Sequence, residues 1–289
     1  MLKYSNHSRN NQRRERNMSI VVDREKCNKD GLCALDCPIG IITMDGPDGF
    51  PAAAPGFEEL CIDCGHCVAV CTKAALSQGG ITPRQCLPLD APPLSPEQIA
   101  QLLKGRRSIR RYKDQPLEQS TIARLLDMAR YAPSGHNVQP VKWLVLSGRE
   151  QLLELAGIVA DWMRYIIKHE PALAAAMHLE QAVAVWDSGK DRILRGAPHV
   201  VVAYGEAKNS MVPAPCILAL GYLELAAYTL GLGACWAGYF NRAAATFPPM
   251  IEALDLPKGM LPYGALMLGV PQYKYQRIPP RKPLEVTWR

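Results

Sequence analysis

Cys61, Cys64, Cys67 and Cys71 stand in the spacing C-x2-C-x2-C-x3-C. Three thiolates in one tight loop can hold three irons of an iron–sulfur cubane, and the fourth, displaced onto the following helix, reaches a second cluster. Zinc ribbons space their cysteine pairs more widely. Earlier in the chain Cys27, Asp30, Cys33 and Cys37 repeat the pattern, followed by Pro38, with Asp30 where a second cysteine would stand. A carboxylate can ligate iron as a harder oxygen donor, which would keep the first cluster [4Fe–4S]. Otherwise Asp30 is a solvated loop residue and that cluster is [3Fe–4S] on three thiolates. Cys86, Cys216 and Cys235 lie outside the pattern and read as small buried residues.

Over residues 19–80 the two copies resemble the repeat of a bacterial two-cluster ferredoxin. The resemblance implies that Cys61, Cys64, Cys67 and Cys37 hold one cluster, and that Cys27, Asp30, Cys33 and Cys71 surround the other.

A second set of residues has different chemistry. Arg106-Arg107-Ser108-Ile109-Arg110-Arg111-Tyr112 offers several guanidinium groups and a hydroxyl, which can clasp a phosphate bidentately. Alone, such a run is also what a solvated basic turn looks like. The loop Ala132-Pro133-Ser134-Gly135-His136-Asn137-Val138-Gln139-Pro140 offers a hydroxyl, exposed backbone and two carboxamides. These suit a polyol and the polar edge of a flavin ring.

With Arg195-Gly196-Ala197-Pro198, the run Gly231-Leu232-Gly233-Ala234-Cys235-Trp236-Ala237-Gly238, and the tail Leu268-Gly269-Val270-Pro271 and Arg281-Lys282-Pro283-Leu284, these segments resemble the flavin-dependent nitroreductases over residues 95–289. The resemblance implies FMN at the two-fold interface of a homodimer. Arg106, Arg107, Ser108 and Arg110 would hold the phosphate and ribityl groups from one subunit, with Arg281 assisting. Pro133, Ser134, Gly135, Asn137 and Gln139 would come from the other. Backbone around Ala237 and Gly238 would face the flavin N5. Trp236 stands where many members have proline, and Gly238 where some have glutamate, which leaves substrate choice open. His136 is a candidate proton donor, or simply a solvated loop histidine.

These segments need elements to place them. Ser95-Pro96-Glu97 starts a helix, with Ser as N-cap and Pro at N1, ending near Lys104-Gly105. Ile122, Leu125, Leu126 and Ala129 recur at helical spacing and predict an amphipathic helix over 118–131. The runs at 141–147 and 199–205 are apolar and β-branched, and read as central strands. Residues 216–231 are apolar on nearly every side, which places that helix in a large core or a dimer interface. Residues 150–195 are helical, with Trp162, Tyr165 and Trp186 either capping a site or packing in a core. The fold class expected is α+β: a ferredoxin-like domain at 19–80, a proline-rich linker at 81–94, and an FMN domain at 95–289 with a central sheet wrapped by helices.

Composition supports this division. The chain has 289 residues, 48% of them hydrophobic, enough for two domains. The net charge is +6, but Lys3, Arg9, Arg13, Arg14 and Arg16 against Glu15 place +4 of it in the first seventeen residues. Residues 1–18 therefore read as a flexible basic tail, with Met18 as the better start. No nucleic-acid partner is expected. No apolar run approaches a membrane span, and no secretory h-region is present, so the expected location is cytoplasmic. Ten cysteines in such a chain point to metal rather than disulfides.

No dinucleotide glycine fingerprint follows a strand, since Gly231-x-Gly233 lies at a helix end. NAD(P)H remains compatible, because family members resemble enzymes in which donor and acceptor share one pocket. The function expected is an oxidoreductase passing electrons from reduced ferredoxin or NAD(P)H through two clusters to FMN, and on to a nitroaromatic, quinone or activated alkene. A dehydrogenase running the opposite way and a non-enzymatic electron carrier or redox sensor are the alternatives.

Overall fold

The computed structural model describes residues 19–46, 49–89 and 94–289. The basic N-terminal segment, Met18, and Pro92 and Pro93 of the bridge lie outside the described residues. The chain divides into two units at Leu94.

The first unit is built twice over. Strand β1 (Ile20–Val22) pairs antiparallel with β4 (Leu76–Gln78), and β2 (Ile42–Met44) with β3 (Pro51–Ala53). Three one-turn helices lie between them: α1 (Leu32–Leu35), α2 (Phe57–Leu60) and α3 (His66–Ala69). Lys29 and Asp63, Gly31 and Gly65, and Gly40 and Ala74 all have positive φ. Each pair is separated by the same interval as Cys27 and Cys61. The turn bonds repeat likewise: Gly31 O accepts from Ala34 and Leu35, and Gly65 O from Val68 and Ala69. The repeat read from cysteine spacing is thus a repeat of backbone conformation. Left-handed φ disfavours side chains, so Lys29, Asp63 and Ala74 keep it only because both loops must coil their cysteines inward.

The second unit is a four-stranded antiparallel sheet in the order β5-β6-β8-β7, from β5 (Lys142–Ser147), β6 (His199–Glu206), β7 (Gly233–Trp236) and β8 (Met260–Gly269). Successive residues face opposite sides. Val200 and Val202 of β6 and Ala265 and Met267 of β8 enter one core, whereas Val201, Ala203, Leu266 and Leu268 enter the other. The first core is covered by α6 (Arg149–His169), the second by α5 (Gln119–Ala129) and α9 (Pro213–Thr229). Both faces are buried, which is why β6 is an unbroken apolar run. The remaining helices are α4 (Pro96–Gly105), α7 (Pro171–Ala176), α8 (Leu179–Asp187), α10 (Gly238–Thr246) and α11 (Pro248–Ala253).

Helix α4 has the expected cap: Ser95 Oγ accepts from Gln98 N–H, and Gln98 Oε1 from Ser95 N–H. Two expectations need correction, for the run at 141–147 and for Cys86, and two that left alternatives open are narrowed. The run at 141–147 forms an edge strand, β5, with only Leu146 buried; apolarity shows that a strand will be covered, not which neighbour covers it. Helix α9 is buried on one side only, with Ile217, Leu218, Tyr222 and Tyr228 between 38% and 45% exposed. Trp162 belongs to the sheet core, while Tyr165 is exposed. Cys86 is exposed, unlike Cys216 and Cys235.

Candidate functional site

In the first unit the candidate ligands separate into two groups. Cys37, Cys61, Cys64 and Cys67 line one hollow, with Pro38, Ile41 and Phe57. Cys27, Asp30, Cys33 and Cys71 line another, with Val22 and Leu76. This is the grouping that the repeat implies, each hollow taking one residue from the other motif. None of the ten cysteines, all of them among the described residues, is in a disulfide. Burial pushes the Cys33 and Cys61 thiols up, and Cys67 up to about 12. Thiolates in such surroundings need a cation to compensate them. Among the described residues no group of three or more His, Cys, Asp or Glu side chains is arranged to hold a single metal ion; the thiols ring hollows instead. Asp30 stands at the second hollow, its Oδ1 accepting from Leu32 N–H at 3.1 Å and its Oδ2 from the Thr72 hydroxyl at 3.3 Å.

In the second unit the arginine run follows α4 and lies along the ends of β7 and β8. Ile109 N–H donates to Ala234 O, and Lys113 N–H to Val270 O. Gly233 is glycine because a Cβ there would stand 2.5 Å from Ile109. Arg106 Nη1 donates to Glu224 of α9 at 2.8 Å, and Arg107 lies over the Tyr275 ring at 6.0 Å. Arg110 is exposed and in no ion pair among the described residues. Ser108 is part-buried. Arg281 is exposed in the extended chain after β8.

The loop after α5 is held by its own side chains. Ser134 Oγ accepts from Gln139 N–H at 2.9 Å, and Asn137 Oδ1 from Gln139 Nε2 at 2.9 Å. His136, Asn137 and Gln139 all have positive φ. Such strain concentrates at ligand clamps. Pro133 opens this loop, and His136 is exposed within it.

Helix α9 separates these two segments within one chain. A side chain at Gly135 would meet Met211, just before α9, at 3.9 Å, whereas Arg106 pairs with Glu224 near its far end. From Pro213 to Glu224 is roughly 17 Å at 1.5 Å per residue. The contact of Arg106 and that of the loop thus stand toward opposite ends of α9.

Ala237 N–H donates to Ala265 O at 3.1 Å. Of the Ala237–Gly238 pair, the N–H without an intrahelical partner is that of Gly238, first residue of α10. Glu224 was not singled out from the sequence, although one carboxylate in an otherwise apolar helix signals a buried partner.

The family model for the nitroreductases, described as "Nitroreductase family", matches residues 103–270. A Bacillus subtilis protein named FMN reductase (NAD(P)H) is 29% identical over 197 residues, 66% of this chain and 72% of its own. A Thermus thermophilus protein named NADH dehydrogenase is 27% identical over 199 residues, 64% of this chain and 92% of its own. The crystal structure of a Bacteroides fragilis nitroreductase with bound FMN aligns with a TM-score of 0.54 at 21% identity, over 66% of this chain and 99% of that one, which shows a shared fold. With more than half of its length matched by the family model, the chain belongs to the Nitroreductase family and is a flavin-dependent oxidoreductase.

Proposed function

We propose that this chain is an FMN- and iron–sulfur-dependent oxidoreductase that passes single electrons from a donor such as reduced ferredoxin through two clusters to FMN, or takes a hydride from NAD(P)H at FMN itself, and hands the electrons on to a small organic acceptor. The observation that carries the relay is the division of eight candidate ligands between two hollows. Soft thiolates are the donors such clusters use, and the residues present fit them. Cys37, Cys61, Cys64 and Cys67 would hold one cluster, and Cys27, Cys33, Cys71 and the Asp30 carboxylate the other.

The second unit fits FMN. Arg106, Arg107, Ser108 and Arg110 supply charge-assisted donors for a phosphate. Pro133, Ser134, Gly135, Asn137 and Gln139 supply a strained polar loop for the ring edge, and Gly238 an available N–H at a helix start. FMN, when bound, collects single electrons in pairs and delivers a hydride equivalent. The two segments lie at opposite ends of α9, so we assign the site to a two-fold homodimer, with each FMN held by the arginines of one chain and the loop of the other. The exposed apolar row of α9 and the uncovered Tyr273, Tyr275, Leu284 and Trp288 of the tail supply surface for such an interface.

The test is anaerobic purification with iron, sulfide and flavin analysis, followed by a screen of donors and acceptors. Two clusters and FMN equimolar with the chain are expected. A single cluster after reconstitution with iron and sulfide contradicts the relay. Cluster reduction by organic substrates with no added donor would reverse the direction in favour of a dehydrogenase.

A further inference from the structure

Helix α9 carries one charged side chain, Glu224, which is 8% exposed. A buried carboxylate is costly unless paired. Glu224 meets the Arg106 guanidinium, from a distant part of the unit, at 2.8 Å, and the Trp236 side chain stands close enough to lower the carboxyl's pKa against the rise that burial causes. Arg106 opens the segment assigned to the phosphate, and Trp236 ends β7 immediately before Ala237 and Gly238. One buried carboxylate thus holds the first arginine of that segment and stands near the strand that leads into the Ala237–Gly238 turn. A buried ion pair by itself is weak evidence for stability. A planar guanidinium with five N–H groups, however, is directed by whichever partner fixes one of them.

We infer that Glu224 is a positioning residue for the cofactor, holding Arg106 so that its other N–H groups are presented to the phosphate. The inference rests on the FMN reading of the site. It makes a buried side chain that is assigned no contact with FMN a determinant of how strongly the protein distinguishes a phosphorylated flavin from a bare one.

The test compares full-length wild type, Glu224→Ala and Glu224→Gln, stripped of flavin and titrated with FMN and with riboflavin, which lacks the phosphate. Both variants are first checked for fold by circular dichroism. Wild type should prefer FMN. Glu224→Ala should weaken FMN by about tenfold or more, the effect of a lost charge-assisted bond, with riboflavin much less affected. Glu224→Gln, keeping one neutral acceptor oxygen, should fall between the two. Equal weakening of both flavins would mark a structural role and overturn the inference, as would unchanged FMN binding in Glu224→Ala. Where the alanine variant does not fold, Glu224→Gln decides: a reduced preference for FMN supports the inference, and a wild-type preference overturns it. A wild-type protein that binds no FMN would overturn the flavin reading itself, and this inference with it.

Discussion

Mixing two defective subunits tests whether the flavin site is shared. Arg110→Ala is the better perturbation on the arginine side. Removing Arg106 would strand the Glu224 carboxylate, and breaking a buried pair costs about 3–5 kcal/mol. Arg110 is exposed with no ion partner among the described residues, so its loss should act on the ligand alone. A charge-assisted contact of about 2 kcal/mol corresponds to roughly thirtyfold in affinity. At free FMN tenfold above the wild-type Kd, wild type is then about 90% loaded and a singly damaged site about 25%. Asn137→Ala is taken to lose a comparable amount, and its homodimer is assayed at the same free FMN to fix the second parental loading. In a shared-site dimer of one Arg110→Ala chain and one Asn137→Ala chain, one site carries both lesions and the other carries none. The heterodimer should hold about 46% of full flavin, against about 25% if each chain has its own site. Differently tagged subunits, purified as verified heterodimers and assayed for bound flavin at equilibrium, separate these values. Occupancy no better than that of the parents, or a flavin-loaded monomer in sedimentation, refutes the shared site.

Two further outcomes are expected. Asp30→Cys should give a fully thiolate-ligated [4Fe–4S] centre and Asp30→Ala a [3Fe–4S] centre, read by electron paramagnetic resonance under strict anaerobiosis with iron in excess; a wild-type spectrum already of the [3Fe–4S] kind and unchanged in Asp30→Ala removes the carboxylate from the ligand set. His199 is 3% exposed, its Nε2 accepting from Leu117 N–H at 2.8 Å and its Nδ1 2.7 Å from Ser147 Oγ. Burial holds its pKa below the usual histidine value, so the unfolded chain binds a proton first and stability should fall as pH drops through about 6.5, by up to about 1.4 kcal/mol per unit for this group. Urea midpoints at neutral and mildly acid pH should therefore differ less in His199→Gln than in wild type, and an identical difference would dismiss His199 as the cause.

Much of the fold was legible because it is periodic. Cysteine spacing showed the repeat of the first unit, and the left-handed residues at 29 and 63, 31 and 65, and 40 and 74 express that repeat in the backbone. The unbroken apolar run of β6 announced a strand buried on both faces, and Ser95-Pro96 announced α4. What was not legible depends on pairing over long sequence distances. Nothing near Arg106 indicates that its partner is Glu224, more than a hundred residues later. The apolarity of α9 could not say which side meets the sheet and which stays open. The run at 141–147 looked central because hydrophobicity reports that a strand is covered, not by what. The chemistry of the arginine run and the polar loop was readable from residue types, but their contacts toward opposite ends of α9, which support the proposed shared site, were not.

The most direct test of the central claim measures anaerobic flavin reduction by reduced ferredoxin in the full-length, cofactor-loaded protein, with Cys33→Ser and Cys64→Ser variants in parallel. The clusters should be reduced before the flavin in wild type. Each variant should lose ferredoxin-driven flavin reduction while keeping its FMN. Undiminished ferredoxin-driven reduction of the flavin in cluster-deficient variants would show that the clusters do not feed it.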